Sequence, residues 1–197
     1  ITEFEKWSES FFILAKNRYC GLVSWTEGEY HEPERYVKGI ELKQSRLPAA
    51  MKTAMGQVID GILQGKSQEH ITDGLLQTIV NVVEKRVPIA DLTIKAKLKD
   101  NLSKYKVLSE ARAGAKWAND NLGKGYKKDD YFLCSLNTDG EYIAFDDPAE
   151  IAGITQIGYG HMARKYIYDK VLPYYEVMGW DYMPLENALR GIQGQWL

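Results

Sequence analysis

Cysteine and histidine are scarce in this chain. Two cysteines, Cys20 and Cys134, and three scattered histidines, His31, His70 and His161, occur in 197 residues. That scarcity excludes a disulfide framework and a closely spaced Cys/His zinc site. Cys20 falls at the edge of one strand-like run and Cys134 inside another, so both read as small buried residues. No apolar run approaches the roughly 20 residues that a membrane-crossing helix needs, and no secretory leader pattern is visible. A reducing intracellular compartment is therefore the expectation. The chain opens on Ile1 without a methionine, which fits a fragment or a processed product.

Catalytic signatures are also missing. No Gly-x-x-x-x-Gly-Lys phosphate loop and no Gly-x-Ser-x-Gly elbow occurs. Gly158-Tyr159-Gly160-His161 is too short to mark a nucleotide site. Two-metal phosphoryl transfer requires paired carboxylates holding ions roughly 4 Å apart. Asn137-Thr138-Asp139-Gly140 offers one carboxylate and a turn-forming glycine, so it reads as a hairpin turn. Asp146-Asp147 is an adjacent pair, but neighbouring strand residues point to opposite faces. It reads as a loop or cap.

What is present is an ordinary globular composition, 45% hydrophobic and 26% charged, with length enough for one large domain or two small ones. The net charge of −2 conceals an uneven distribution. Between Lys38 and Asp120 stand 14 Lys/Arg and 9 Asp/Glu. A basic middle between acidic ends suits one face for a polyanion.

The first 45 or so residues are mixed. Glu3 to Ala15 is amphipathic, with Phe4, Trp7, Phe11, Phe12 and Leu14 expected on one side. Lys16 to Trp25 reads as a strand, Thr26 to Tyr30 as a turn and Arg35 to Leu42 as the returning strand. Pro48 then suits the first turn of a helix. Met51, Met55, Val58, Ile59, Ile62 and Leu63 repeat at helical spacing, and Gly65-Lys66 ends the run. Ser67 opens a second helix with Ile71, Leu75, Leu76, Ile79, Val80 and Val83 as its apolar face, stopped by Val87-Pro88. These stripes read as core.

Lys95, Lys97 and Lys99 alternate with Ala96 and Leu98, a strand with one charged face. Ser109 can cap a helix through Ala118. Tyr131–Leu136 and Glu141–Phe145 flank the Asn137–Gly140 turn. A last long helix runs from about Met162 to Met178, with Pro173 expected to kink or break it. A short helix follows from Pro184.

Four of these segments, in order, resemble family B DNA polymerases of the T-even bacteriophage and archaeal types. Lys16-Asn17-Arg18-Tyr19 is similar to the family's Lys-Lys-Arg-Tyr motif, with Asn17 replacing the second lysine. Lys38-Gly39-Ile40-Glu41, followed by Lys43-Gln44-Ser45-Arg46, resembles the crossing from palm to thumb. Lys104-Tyr105-Lys106 and Ala113-Gly114-Ala115-Lys116 resemble the family's Asp-Tyr-Lys and Ala-x-Ala-Lys run. Tyr166-Ile167-Tyr168-Asp169-Lys170-Val171-Leu172-Pro173 resembles its last long helix. The family's Asp-x-x-Ser-Leu-Tyr-Pro and Asp-Thr-Asp motifs are not found.

The resemblance implies an α+β fold, a mainly helical thumb with an N-terminal palm β-hairpin and a second hairpin near the thumb tip. Residues 1–45 would end the palm, and 46–197 would form the thumb and a C-terminal tail. Lys16, Asn17, Arg18, Tyr19, Lys43, Gln44, Ser45, Arg46, Lys99, Lys104, Tyr105, Lys106, Arg112 and Lys116 would face primer–template DNA, gripping minor groove and phosphates. Trp196 and Leu197 would engage a sliding clamp.

No cofactor is expected in this chain. Mg²⁺ is expected in the complete polymerase, whose N-terminal catalytic portion would be the partner. No membrane association is expected, and the location would be cytoplasmic, at the nucleoid or in an infected host. The alternative is a free-standing α+β nucleic-acid-binding or interaction domain without catalytic activity. That alternative calls for a closed surface over residues 1–45. The polymerase resemblance calls for an open sheet with apolar surface.

Overall fold

A computed structural model describes residues 6–44, 46–106, 109–153 and 157–193. The expected α+β class is what it shows, with two three-stranded antiparallel sheets. The first sheet is a meander of β1 (Lys6–Ala15), β2 (Arg18–Thr26) and β3 (Glu29–Lys38). β1 is a full strand, so the hairpin expected here is a sheet. Its parity also corrects the expected apolar side: Phe12 and Leu14 are buried, whereas Phe11 and Ile13 are 54% and 58% exposed. Successive strand side chains must diverge. The β2–β3 turn is tighter than expected, at Glu27-Gly28, and β3 begins at Glu29. Pro33 sits in this edge strand, where a missing N–H is tolerated. Glu41–Lys43 is a 3-10 turn rather than strand.

Helix α1 (Ala49–Leu63) packs on α2 (Gln68–Val83) through the periodic residues. Met51, Met55, Val58, Ile59 and Leu63 face Ile71, Leu75, Ile79 and Val82 in one core. The Ser67 hydroxyl caps α2 by accepting from His70 N–H. Arg35 of β3 donates two 2.8 Å bonds to the Asp60 carboxylate of α1 and so ties the first sheet to the helices.

The second sheet is β4 (Ile94–Lys97), β5 (Tyr131–Leu136) and β6 (Tyr142–Phe145) in that order, one strand more than a hairpin. Helix α3 (Glu110–Leu122), capped by the Ser109 hydroxyl, lies against it. Close approach comes through Gly114, where a Cβ would sit 2.9 Å from Cys134 Sγ.

The last long helix starts earlier than expected. α4 (Tyr159–Ala163), a π-helical turn (Arg164–Tyr168) and α5 (Asp169–Met178) follow without interruption. Pro173 stands inside α5 and does not end it. A proline ring collides with the carbonyl four residues back, here Asp169, and removes one helical hydrogen bond; a π-helical turn lies immediately upstream. α6 (Met183–Gln193) closes the described chain. One cluster of buried side chains runs from Phe12 in β1 to Leu189 in α6. Among the described residues no helix is long and apolar enough to cross a membrane.

Candidate nucleic-acid interface

The turn between β1 and β2 carries Lys16 and Asn17, both exposed, and leads into Arg18 and Tyr19, both half-buried. Asn17 adopts a left-handed φ of 61°, a conformation asparagine tolerates better than most residues. Gly39, with φ +69°, lies directly against this turn. A Cβ on Gly39 would fall 2.0 Å from the Asn17 carbonyl oxygen. The two sequence motifs, about 20 residues apart in the chain, therefore meet through bare backbone.

Strand register completes the junction. Tyr19 pairs with Lys38 and Gly21 with Tyr36. Lys38 Nζ lies 5.7 Å from the Tyr19 ring centroid, within cation–π range. Phe11 and Tyr36 flank the same ring at 5.3 and 6.2 Å. Sequence reasoning left Lys38 out of the site; antiparallel parity places it beside Tyr19 and is the signal that finds it.

Beyond Gly39 the crossing is held at three points. The Glu41 carboxylate accepts from Lys170 Nζ of α5 at 3.1 Å. Arg46 Nε donates to Gln44 Oε1 at 3.1 Å. The Arg46 carbonyl accepts from Lys95 N–H at 3.0 Å, which ties the crossing to β4. Lys43 lies in the 3-10 turn. Ser45, expected at the phosphates, lies outside the described residues, as do Trp196 and Leu197.

Strand β4 has the expected alternation. Lys95 and Lys99 are exposed, whereas Ala96 and Leu98 are buried. Lys97 is half-buried, 3.0 Å from the Asp129 carboxylate and 5.0 Å from the Tyr131 ring centroid. The following loop is closed by Tyr105, whose hydroxyl accepts from the backbone N–H groups of Lys99 (2.7 Å) and Asp100 (3.3 Å). Tyr105 is thus a staple that shapes the loop bearing Lys99, Lys104 and Lys106. Lys104 pairs with Asp100 at 3.8 Å, while Lys99 and Lys106 are exposed. Arg112 and Lys116 stand one turn apart on α3, and Lys116 pairs with Asp120. Carboxylates thus partly offset Lys104 and Lys116. Exposed pairs of this kind contribute about 0.2–1 kcal/mol and yield readily to a stronger anion.

The acidic candidates have other partners. Asp146 accepts from Lys124 Nζ and from the Tyr126 hydroxyl, both at 2.7 Å. Asp147 Oδ1 accepts from Ala149 N–H as a cap. Asn137 Oδ1 takes the N–H groups of Asp139 and Glu141, fixing the hairpin turn. No group of three or more His, Cys, Asp or Glu converges to hold a metal among the described residues. These donor sets do not fit a catalytic Mg²⁺ pair.

Asp146 gives a pH-dependent contribution to stability. The Lys124 ammonium and then the Tyr126 hydroxyl hold its carboxyl below the usual carboxylate range. A depressed native value stabilises the fold above the unfolded pKa of about 4. That contribution is lost as pH falls through the lower native value. Thermal melts between pH 5 and pH 2.5 should show a shallower acid loss for Asp146→Asn than for wild type. Parallel curves would remove Asp146 from the acid response.

Among the residues singled out from sequence, the structure joins Asn17 and Arg18 to the Gly39 crossing. It connects Arg46 to the lysine-bearing β4. Arg112 and Lys116 share a face of α3. Among the described residues, Phe11 and Ile13 stand exposed on the outer face of the first sheet. β1 and β3 are its edges. In comparisons with known proteins, the family model described as DNA polymerase family B matches residues 2–132, from the start of the chain into β5. No curated protein matches the chain.

Proposed function

The chain belongs to DNA polymerase family B, and on that premise we propose that it is the duplex-gripping end of such an enzyme. In this reading residues 1–45 finish the palm, and residues 46–197 form the thumb with its tail. Family B polymerases use Mg²⁺, and here the ions and their carboxylates belong to the N-terminal catalytic portion. The 197-residue chain itself does not carry out nucleotidyl transfer alone. It holds the primer–template behind the site of synthesis.

The junction of the Lys16–Tyr19 turn with the Gly39 crossing carries the reading. Lys16, Asn17 and Lys38 stand together at this corner. A lysine or amide there can donate to the minor-groove acceptors that all base pairs share, and so can sense pairing without reading sequence. Lys99, Lys106, Arg112 and Lys116 supply cations for phosphates further along the duplex. The outer face of the first sheet, with Phe11 and Ile13 exposed, supports docking of the catalytic portion over a free-standing domain.

Fluorescence anisotropy with a primer–template and a matched single strand tests this at two salt concentrations. Salt-sensitive binding that favours the duplex is expected. Equal or absent binding at low salt would count against the grip. Supplying the catalytic portion separately and assaying primer extension then tests the partnership.

A further inference from the structure

Helix α5 presents two side chains one turn apart, Lys170 and Tyr174, and both reach the corner that bears the Lys16–Tyr19 turn. Lys170 Nζ lies 3.1 Å from Glu41 Oε2, two residues past Gly39. Tyr174 is 1% exposed, and its ring stacks on Phe12 of β1 at 6.0 Å with an interplanar angle of 18°. Phe12 pairs with Cys20, the residue after Tyr19. Among the described residues the Tyr174 hydroxyl has no hydrogen-bond partner. A hydroxyl buried without a partner is costly, so what Tyr174 contributes here is the packing of its ring.

We propose that α5 is a brace for the minor-groove turn, with Lys170 acting through Glu41 and Tyr174 acting through Phe12. Neither residue needs to touch DNA. They are positioning residues that fix where Lys16 and Asn17 stand. This inference rests on the duplex-grip reading for its functional part; its structural part is tested without DNA. Two side chains on the same helical face act as one lever, so a shift of α5 would move the turn. The crossing transmits that shift because no side chain cushions Gly39 against the Asn17 carbonyl.

The test uses the full 197-residue chain with Lys170→Met, Tyr174→Phe, Tyr174→Leu and the swap Glu41→Lys with Lys170→Glu. Amide hydrogen exchange over Lys16–Tyr19 should quicken several-fold in Lys170→Met and in Tyr174→Leu. It should stay near wild type in Tyr174→Phe and in the swap. Duplex affinity should follow the same order, with a loss of about fivefold to tenfold. The slope of affinity against salt should not change, because a lysine that contacts phosphate takes about 0.9 from that slope when removed.

Unchanged exchange in Lys170→Met and Tyr174→Leu overturns the brace. A slope lowered by about 0.9 in Lys170→Met makes that lysine a DNA contact and overturns its positioning role. Exchange that quickens in these two variants while the wild type shows no duplex binding supports the brace and removes only the grip reading.

Discussion

Gly39→Val should be the most destabilising single substitution at the corner where the Lys16–Tyr19 turn meets the Gly39 crossing. The residue has φ +69°, and a Cβ there would lie 2.0 Å from the Asn17 carbonyl oxygen. The left-handed conformation alone costs a residue with a side chain about 1–2 kcal/mol. The collision adds to this, because the neighbour is backbone of the tight β1–β2 turn, which cannot swing aside as a flexible side chain can. Together about 3–5 kcal/mol is expected, in the upper tail for single substitutions. For a chain of this size that is a fall in Tm on the order of 10 °C.

Gly65→Ala provides the control. Gly65 has nearly the same φ, +66°, but nothing lies within 4 Å of its would-be Cβ. It should cost only the conformational share, about 1 kcal/mol. Gly39→Ala should lie well above that value in the same thermal melt. Equal losses for the two alanine variants would mean that the contact with Asn17 does not hold in solution.

Substituting Lys16, Lys43 and Lys106 together by alanine should abolish most duplex binding without unfolding the protein. Lys16 and Lys106 are exposed, on the β1–β2 turn and on the loop that Tyr105 closes, and Lys43 lies in the 3-10 turn of the crossing. Each phosphate contact contributes about 0.9 to the salt slope. Losing Lys43 and Lys106 from the phosphates should lower the slope by about 1.8, and with Lys16 gone from the minor groove the affinity should fall by about a hundredfold near 0.1 M salt. Anisotropy over a salt series measures both. A lower affinity with an unchanged slope would point to distortion rather than lost contacts. An unchanged affinity would move the grip elsewhere on the molecule.

Local chemistry made much of this fold readable. The α1 stripe, most of the α2 stripe (Leu76 and Val80 are half-buried and Val82 takes their place in the core), the Ser67 and Ser109 caps, the Lys95–Lys99 alternation and the Asn137–Gly140 turn depend on near neighbours and stand as expected. The errors arose where the answer depends on distant chain. Phe11 to Leu14 is an unbroken apolar run, and such a run does not say which parity faces the core. That was decided by α1 and α5 packing on one side of the first sheet.

The same holds for the candidate site. The residue types and order of its motifs were legible. The meeting of Gly39 with Asn17 and of Glu41 with Lys170 was not, since no local pattern encodes a contact over 129 positions. Tyr105 is expected at the DNA; its hydroxyl also accepts from the backbone N–H groups of its own loop, which residue type alone does not encode.

The π-helical turn at Arg164–Tyr168 has a consequence for what the gene can tolerate. Such a turn is one residue longer than the α-helical turn it replaces. Each residue advances a helix by about 100°. Removing one position between Arg164 and Tyr168 would let the segment close as ordinary α-helix and rotate everything after it by that angle. Lys170 would leave Glu41, and Tyr174 would leave Phe12. Side chains here can vary while the count is kept. The length of this segment, more than its composition, keeps the far end of the helix in phase with the corner it supports.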